Sequence, residues 1–92
     1  MTRLEMTITE RDFERQLEPV GNGWIVDHSD FSWRFRQEMR VVTITCQPLP
    51  IRKIGWLELP RLAVEIGFEK CNKEEEARFL QRFHRCFQRG GG

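Results

Sequence analysis

Three segments of this chain place apolar residues at every second position, and this pattern limits the folds it can adopt. Residues 31–36, 40–46 and 61–69 place an apolar side chain at every second position. Successive side chains of a β-strand point to opposite faces, so this period predicts strands with one buried face. The side chains expected to face the core are Phe31, Trp33, Phe35, Val42, Ile44, Cys46, Leu62, Val64, Ile66 and Phe68.

Two other segments carry the signals of helices. Thr9 is a good N-cap with Asp12 three residues later, and Pro19 ends the helix that follows. Near the other end of the chain, Asn72 and Glu75 have the spacing of a capping box. The stripe that would pack this second helix on the core consists of Phe79, Leu80, Phe83, Cys86 and Phe87.

The order of these elements predicts the fold class. Consecutive strands with short connections pair as antiparallel neighbours. The expected fold is α+β: a single antiparallel sheet of four to five short strands, with an N-terminal and a C-terminal helix packed on one face. A length of 92 residues fits one domain. Within that single domain, 1–92, the segments 1–7 and 90–92 are expected to be flexible.

Residues 47–53 interrupt the alternating pattern with two prolines at alternate positions, Pro48 and Pro50. Proline donates no backbone hydrogen bond, so this stretch is expected to be a stiff loop, with a short strand at 54–59 after it. A stiff loop that displays apolar side chains binds a partner with little ordering cost. Leu49 and Ile51 are therefore candidate partner-binding residues. The alternative is that they cover the edge of the core.

An arginine stripe follows the second predicted helix. Arg78, Arg82, Arg85 and Arg89 fall within a narrow arc, away from the apolar stripe. Guanidinium groups bind carboxylates and phosphates in a bidentate manner. The stripe is a second candidate partner-binding surface. The alternative is a solvated face, in which Glu74 pairs with Arg78 one turn away.

The overall charge argues against a general affinity for nucleic acid or membrane. Fifteen basic residues are balanced by fourteen acidic ones, which leaves no long-range attraction to polyanions. No stretch approaches the roughly 20 apolar residues of a membrane span. Three widely spaced cysteines do not form the even framework of a disulfide-rich secreted domain. These features predict a reducing compartment, most simply the cytoplasm.

No catalytic or metal-binding signature is present in the sequence. His28, Ser29 and Asp30 are adjacent, but neighbours in a strand or turn point apart, whereas a triad must converge in space. The cysteines and histidines lack the close pair spacing of structural zinc sites. No catalytic residue, cofactor or metal ligand is therefore assigned.

The sequence favours a non-enzymatic binding module that acts through a protein partner. One alternative is a nucleic-acid-binding domain that uses surface arginines. Another is a small ligand-binding or enzymatic domain without a recognisable motif, whose pocket would be lined by Trp24, Trp56 and His28. The Gly90–Gly92 end resembles the diglycine end of ubiquitin-like carriers, but those have a strand before the tail and this chain has a predicted helix.

Overall fold

The computed structural model describes residues 1–88, so Arg89 and Gly90–Gly92 lie outside the described residues. The fold is α+β, as the sequence predicts: one five-stranded antiparallel sheet with two helices packed on one face. The elements are β1 (Thr2–Met6), α1 (Glu10–Leu17), a 3₁₀ turn (Glu18–Gly21), β2 (Ile25–Ser29), β3 (Ser32–Gln37), β4 (Arg40–Ile54), β5 (Leu57–Glu69) and α2 (Lys73–Gln88).

The sheet is a meander with one additional strand. Its order is β1-β5-β4-β3-β2, and every neighbouring pair is antiparallel. The four strands from β2 to β5 follow one another in the chain and pair with their sequence neighbours, as short connections require. β1 and β2 are consequently the two edges of the sheet within residues 1–88.

The N-terminal segment differs from expectation. Residues 1–7 are expected to be flexible, but Thr2–Met6 forms edge strand β1 against β5. Leu4 pairs with Val64 and Met6 with Leu62, so these side chains lie on the core side of the sheet and pack against the core. Five residues with only two apolar positions are too short a pattern to distinguish a strand from a flexible end.

The core lies between the sheet and the two helices and is built around aromatic rings. All the side chains expected to face the core, except Phe31, are buried or packed against it. Phe13 on α1 contacts Trp33 of β3 edge-to-face with 5.4 Å between ring centroids. The Phe83 and Phe87 rings, both on α2, lie 4.6 Å apart between their centroids. Five of the buried residues are aromatic: Phe13, Trp33, Phe35, Phe79 and Phe83.

Both predicted helix starts are confirmed by their capping hydrogen bonds. The Thr9 hydroxyl accepts from the Asp12 backbone N–H at 3.2 Å. At the start of α2, the Asn72 side chain accepts from the Glu75 N–H at 2.8 Å. The Glu75 carboxylate accepts in return from the Asn72 N–H at 2.9 Å, which completes the capping box.

The alternation predicts that Phe31 faces the core, but the structure places it outside the core. It is in the two-residue turn between β2 and β3, with a φ of 54° and 42% of its surface exposed. Ser29 and Ser32 pair on either side of this turn. The alternation itself continues correctly from Trp33, because the turn takes only Asp30 and Phe31 out of the strand.

Candidate interaction surfaces

The longest strands of the sheet extend beyond their neighbours and form a projecting hairpin. β3 pairs with β4 only as far as Thr45, and β1 pairs with β5 only from Leu62 onward. Residues 47–61 therefore form a two-stranded ribbon, which we call the arm. The molecule measures 48 × 26 × 21 Å, and this elongation is consistent with a ribbon that extends past a small body.

The arm replaces the loop expected at residues 47–53. Pro48 and Pro50 lie within β4, which is possible because β4 has a partner strand on only one side beyond Thr45, and an edge tolerates a residue without an N–H. The register shifts between Leu49 and Arg52. Two residues of β4, Pro50 and Ile51, are opposed there by one residue of β5, as in a β-bulge.

A two-residue turn closes the arm. Ile54 pairs with Leu57 across Gly55 and Trp56, and Gly55 has a φ of 62°. Glycine at the first central position is the pattern of a type II′ hairpin turn. The arrangement displays Trp56 at the tip, where 92% of its surface is exposed.

Apolar side chains cover much of the arm and remain in contact with solvent. Ile51, Ile54, Trp56 and Leu57 are all exposed, and they are four of the nine exposed large hydrophobic residues of the described chain. The register places Leu49, Ile54, Leu57 and Leu59 on the open face of the sheet. Leu49 is half-buried, and Ile51 lies in the bulge. Exposed apolar residues concentrated in this way make the arm a candidate contact surface.

Arg61 attaches the base of the arm to the body. Its guanidinium forms an ion pair with Glu5 of β1 at 3.0 Å and donates to the Pro50 carbonyl at 3.3 Å. The Arg61 hydrogen bond and charge lower the pKa of the Glu5 carboxyl. One side chain thus connects the edge strand to the bulge.

The arginine stripe forms a separate surface on α2. Arg78, Arg82 and Arg85 are exposed, as predicted, and line a shallow cleft beside Pro19 and Asn22. Arg82 donates to the Pro19 carbonyl at 3.1 Å. None of the three forms an ion pair with a described residue. The fourth predicted member, Arg89, lies outside the described residues.

The expected pairing of Glu74 with Arg78 is not found within residues 1–88. Glu75 is instead the acidic residue of α2 that forms a long-range ion pair, with Arg40 at the start of β4. Arg40 also pairs with Glu38 at 3.0 Å. These contacts fix the start of α2 against the sheet and leave Arg78 without a carboxylate from residues 1–88.

A cleft between α2 and the β3–β4 end of the sheet has the mixed lining of a ligand site. It has a volume of about 210 Å³ and is lined by Trp24, Gln37, Arg40, Arg78 and Arg82 among others. The three residues proposed to line a small-molecule pocket do not converge there. Trp24 lines this cleft, His28 stacks on Trp33 at the edge of the sheet, and Trp56 is at the tip of the arm.

The cysteines are unbonded and occupy different environments. Cys46 is buried, and burial, with a smaller contribution from Glu10, raises the pKa of its thiol to about 11. Cys71 is half-buried, and burial followed by Glu75 and Glu76 raises its pKa also. No three His, Cys, Asp or Glu side chains in the described part of the chain are grouped to hold a metal ion. Neither helix, over its described length, has the length and hydropathy to cross a bilayer.

The sequence contains a signal for the arm that the loop interpretation missed. Gly55-Trp56 between apolar residues on both sides is a two-residue hairpin signal. The prolines nearby obscured it, because a central strand would exclude them.

No protein-family model matches this chain, and a search of curated proteins finds no similar sequence.

Proposed function

We propose that this chain is a small non-enzymatic binding module that acts through a protein partner, with the arm as its main contact surface. The observation that carries the proposal is the 92% exposure of Trp56 at the tip. Exposed apolar surface is unfavourable in water, and tryptophan is enriched among the residues that dominate binding energy at interfaces. The exposed neighbours Ile54 and Leu57 extend this apolar tip.

The charges of the arm indicate the chemistry of the partner. Arg52 and Lys53 lie between the exposed side chains of Ile51 and Ile54, and Glu58 is the acidic residue opposite Lys53. Complementary charge steers association and sets the register of a complex. The partner surface that fits the tip is therefore an apolar pocket for Trp56 bordered by carboxylates.

The construction of the arm also supports a binding role. Its strands are paired up to the turn, prolines restrict its backbone, and Arg61 attaches its base to β1. A surface that is ordered before contact loses less conformational entropy when it binds. An arm of this kind presents its side chains in a fixed arrangement.

Comparative affinity capture tests the proposal. The double variant Ile54→Ser/Trp56→Ser removes apolar surface from the tip without touching the core. Met39→Ser is the matched control, because Met39 is 73% exposed in the β3–β4 turn, at the other end of β4. We expect a partner that is captured by the parent chain and by Met39→Ser and is lost with the double variant.

The captured partner is then purified and its affinity measured against the same three chains. We expect the double variant to bind at least about 100-fold more weakly, which corresponds to the loss of a hot spot of about 2.8 kcal/mol. Equal affinity of all three chains would reject the arm as the contact surface.

The arginine stripe supports a second candidate function, the binding of an acidic partner or nucleic acid. The specific observation is that Arg78, Arg82 and Arg85 are exposed and form no ion pair with residues 1–88. Titration with a labelled oligonucleotide at increasing salt tests it, since phosphate contacts weaken steeply with salt. Arg82→Glu/Arg85→Glu should abolish this binding, and unchanged affinity would reject the stripe.

The proposal places the module in the cytoplasm. The three cysteines are unbonded in the structure, which supports a reducing compartment. Alkylation of the protein in intact cells followed by mass spectrometry tests this location. We expect three reduced thiols, and a disulfide between any two of them would contradict the assignment.

A further inference from the structure

We propose that the outer edge of β2 and the groove beside it form a second binding surface, which accepts an extended peptide that carries apolar and basic side chains two residues apart, on the same face. This surface is separate from the arm. Within residues 1–88, β2 pairs only with β3, so its other side has no strand partner. An edge strand of this kind is a template for an added strand.

The register of β2 shows which backbone groups face outward. Ser29 and Ser32 flank a two-residue turn, so they form a hydrogen-bonded pair. Hydrogen-bonded and non-hydrogen-bonded pairs alternate along an antiparallel ladder. Val26 and His28 are therefore in non-hydrogen-bonded pairs, and their N–H and C=O groups point away from β3, toward an incoming strand.

The side chains of the same two residues border a groove. Val26 and His28 lie on the helix side of the sheet, where a groove of about 290 Å³ separates β2 from α1 and the 3₁₀ turn. Its apolar lining includes Leu17, Trp33 and Phe35. Val26 is 42% exposed, so the helices leave this part of the sheet uncovered. An incoming strand would place alternate side chains in this groove.

Gly21 maintains the depth of the groove. A Cβ at this position would come within 2.8 Å of a Val26 methyl group and 3.3 Å of the Phe35 ring. The φ of Gly21 does not require glycine, so the lack of a side chain is explained by space. Because glycine occupies this position, no side chain of the 3₁₀ turn fills the floor of the groove beside Val26 and Phe35.

The charge of the rim selects basic side chains. Glu14 and Glu18 line the groove from α1 and the 3₁₀ turn. Glu14 lies 3.6 Å from the imidazole of His28, and Glu18 forms no ion pair with a described residue. Side chains two residues apart on an added strand lie on the same face. A lysine or arginine there would meet these carboxylates, while the apolar residue two positions away fills the groove.

The test uses the full chain and two labelled heptapeptides. Both have serine at every second position; on the other face one carries valine, lysine and valine, and the other has glutamate in place of the lysine. Fluorescence anisotropy measures affinity, and amide shifts in a ¹H–¹⁵N spectrum locate the contact. We expect saturable binding of the basic peptide, at least about tenfold tighter than the acidic one, with the largest amide shifts at Val26 and His28.

Three variants separate this surface from the rest of the molecule. Val26→Pro removes an outward N–H and leaves the β3 ladder intact, and Glu18→Lys reverses the rim charge. Each should weaken binding by about tenfold or more. Ile25→Ser is the control, because Ile25 is also exposed but lies on the open face of the same strand, and it should bind as the parent chain does.

Several results would overturn the proposal. These are no saturable binding of the basic peptide up to about 1 mM, equal affinity for both peptides, or shifts centred on residues outside β2 and the groove. Retained affinity in Glu18→Lys would overturn the charge selection even if Val26→Pro failed to fold. Loss of binding in Ile54→Ser/Trp56→Ser alone would assign the peptide to the arm instead.

Discussion

Ile54 and Leu57 face each other across the Gly55–Trp56 turn, with 57% and 43% of their surfaces exposed. A cross-strand apolar pair stabilises a hairpin modestly, but this pair lies at the end of a ribbon with no helix above it. The body of the protein is held by a separate core. The tip is therefore available for contact without loss of the fold.

The double variant Ile54→Ser/Trp56→Ser should consequently be as stable as the parent chain. Exposed substitutions away from caps and buried groups change the free energy of unfolding by about 0.5 kcal/mol or less each. Urea denaturation followed by far-UV circular dichroism measures this. A loss of more than about 2 kcal/mol would mean that the tip packs against the body.

Phe83→Ala should be severely destabilising. Phe83 is fully buried on α2 and lies 4.6 Å from the Phe87 ring and 6.4 Å from the Phe13 ring, measured between centroids. Truncation of a buried phenylalanine costs about 3–5 kcal/mol, a large part of the stability of a small domain. Phe31→Ala is the control with the same change at a half-exposed turn, and it should cost far less. Similar unfolding midpoints for the two variants would contradict the core assignment.

Arg61→Ala should loosen the base of the arm. The variant removes both the Glu5 ion pair and the bond to the Pro50 carbonyl, so amides near the bulge should exchange faster in D₂O. Arg61 lowers the pKa of Glu5. The ion pair therefore stabilises the folded protein above the ordinary carboxyl pKa, and this stabilisation is lost as pH falls through the lowered pKa of Glu5. The difference between parent and variant should shrink in acid, and a difference that grows in acid would contradict the pairing.

The cysteines should react with a thiol reagent in a fixed order. Burial raises the pKa of Cys46 from 9.0 to about 11, which lowers its thiolate fraction at pH 8 by about 100-fold. Cys71 is more accessible, so it should be alkylated before Cys46 in the native protein, as read by peptide mass spectrometry. Cys46 ionises at lower pH in the unfolded chain than in the native protein. The free energy of unfolding should therefore decrease as pH rises from 9 to 11. Rapid native labelling of Cys46 would contradict its burial.

The periodic parts of the fold could be predicted from the sequence. The alternation in β3, β4 and β5 and the capping residues of both helices are local signals, and each has a physical cause within a few residues. Phe31 was placed wrongly because a turn of two residues can begin inside an alternating run. β1 was missed because its two core-facing residues, Leu4 and Met6, gain their meaning only from pairing with β5.

The candidate surfaces depend on relationships that a linear pattern does not contain. Pro48 and Pro50 indicate a loop unless β4 is known to extend beyond β3. The arginines of α2 were predicted to be exposed, and they are, but their cleft requires the position of Pro19. The groove beside β2 arises from Gly21 and from the limited area that α1 covers. The arginine cleft and the groove could not be inferred without knowing how the helices pack.

Hydrogen–deuterium exchange of the complex with the captured partner tests whether the arm is the contact surface. The register places the Lys53 and Glu58 pair between hydrogen-bonded pairs, so the N–H groups of both residues face the free edges of the arm. We predict that binding slows amide exchange within residues 47–61, and that Met39→Ser shows the same pattern. Protection confined to residues 73–88 or 25–29, with the arm unchanged, would contradict it.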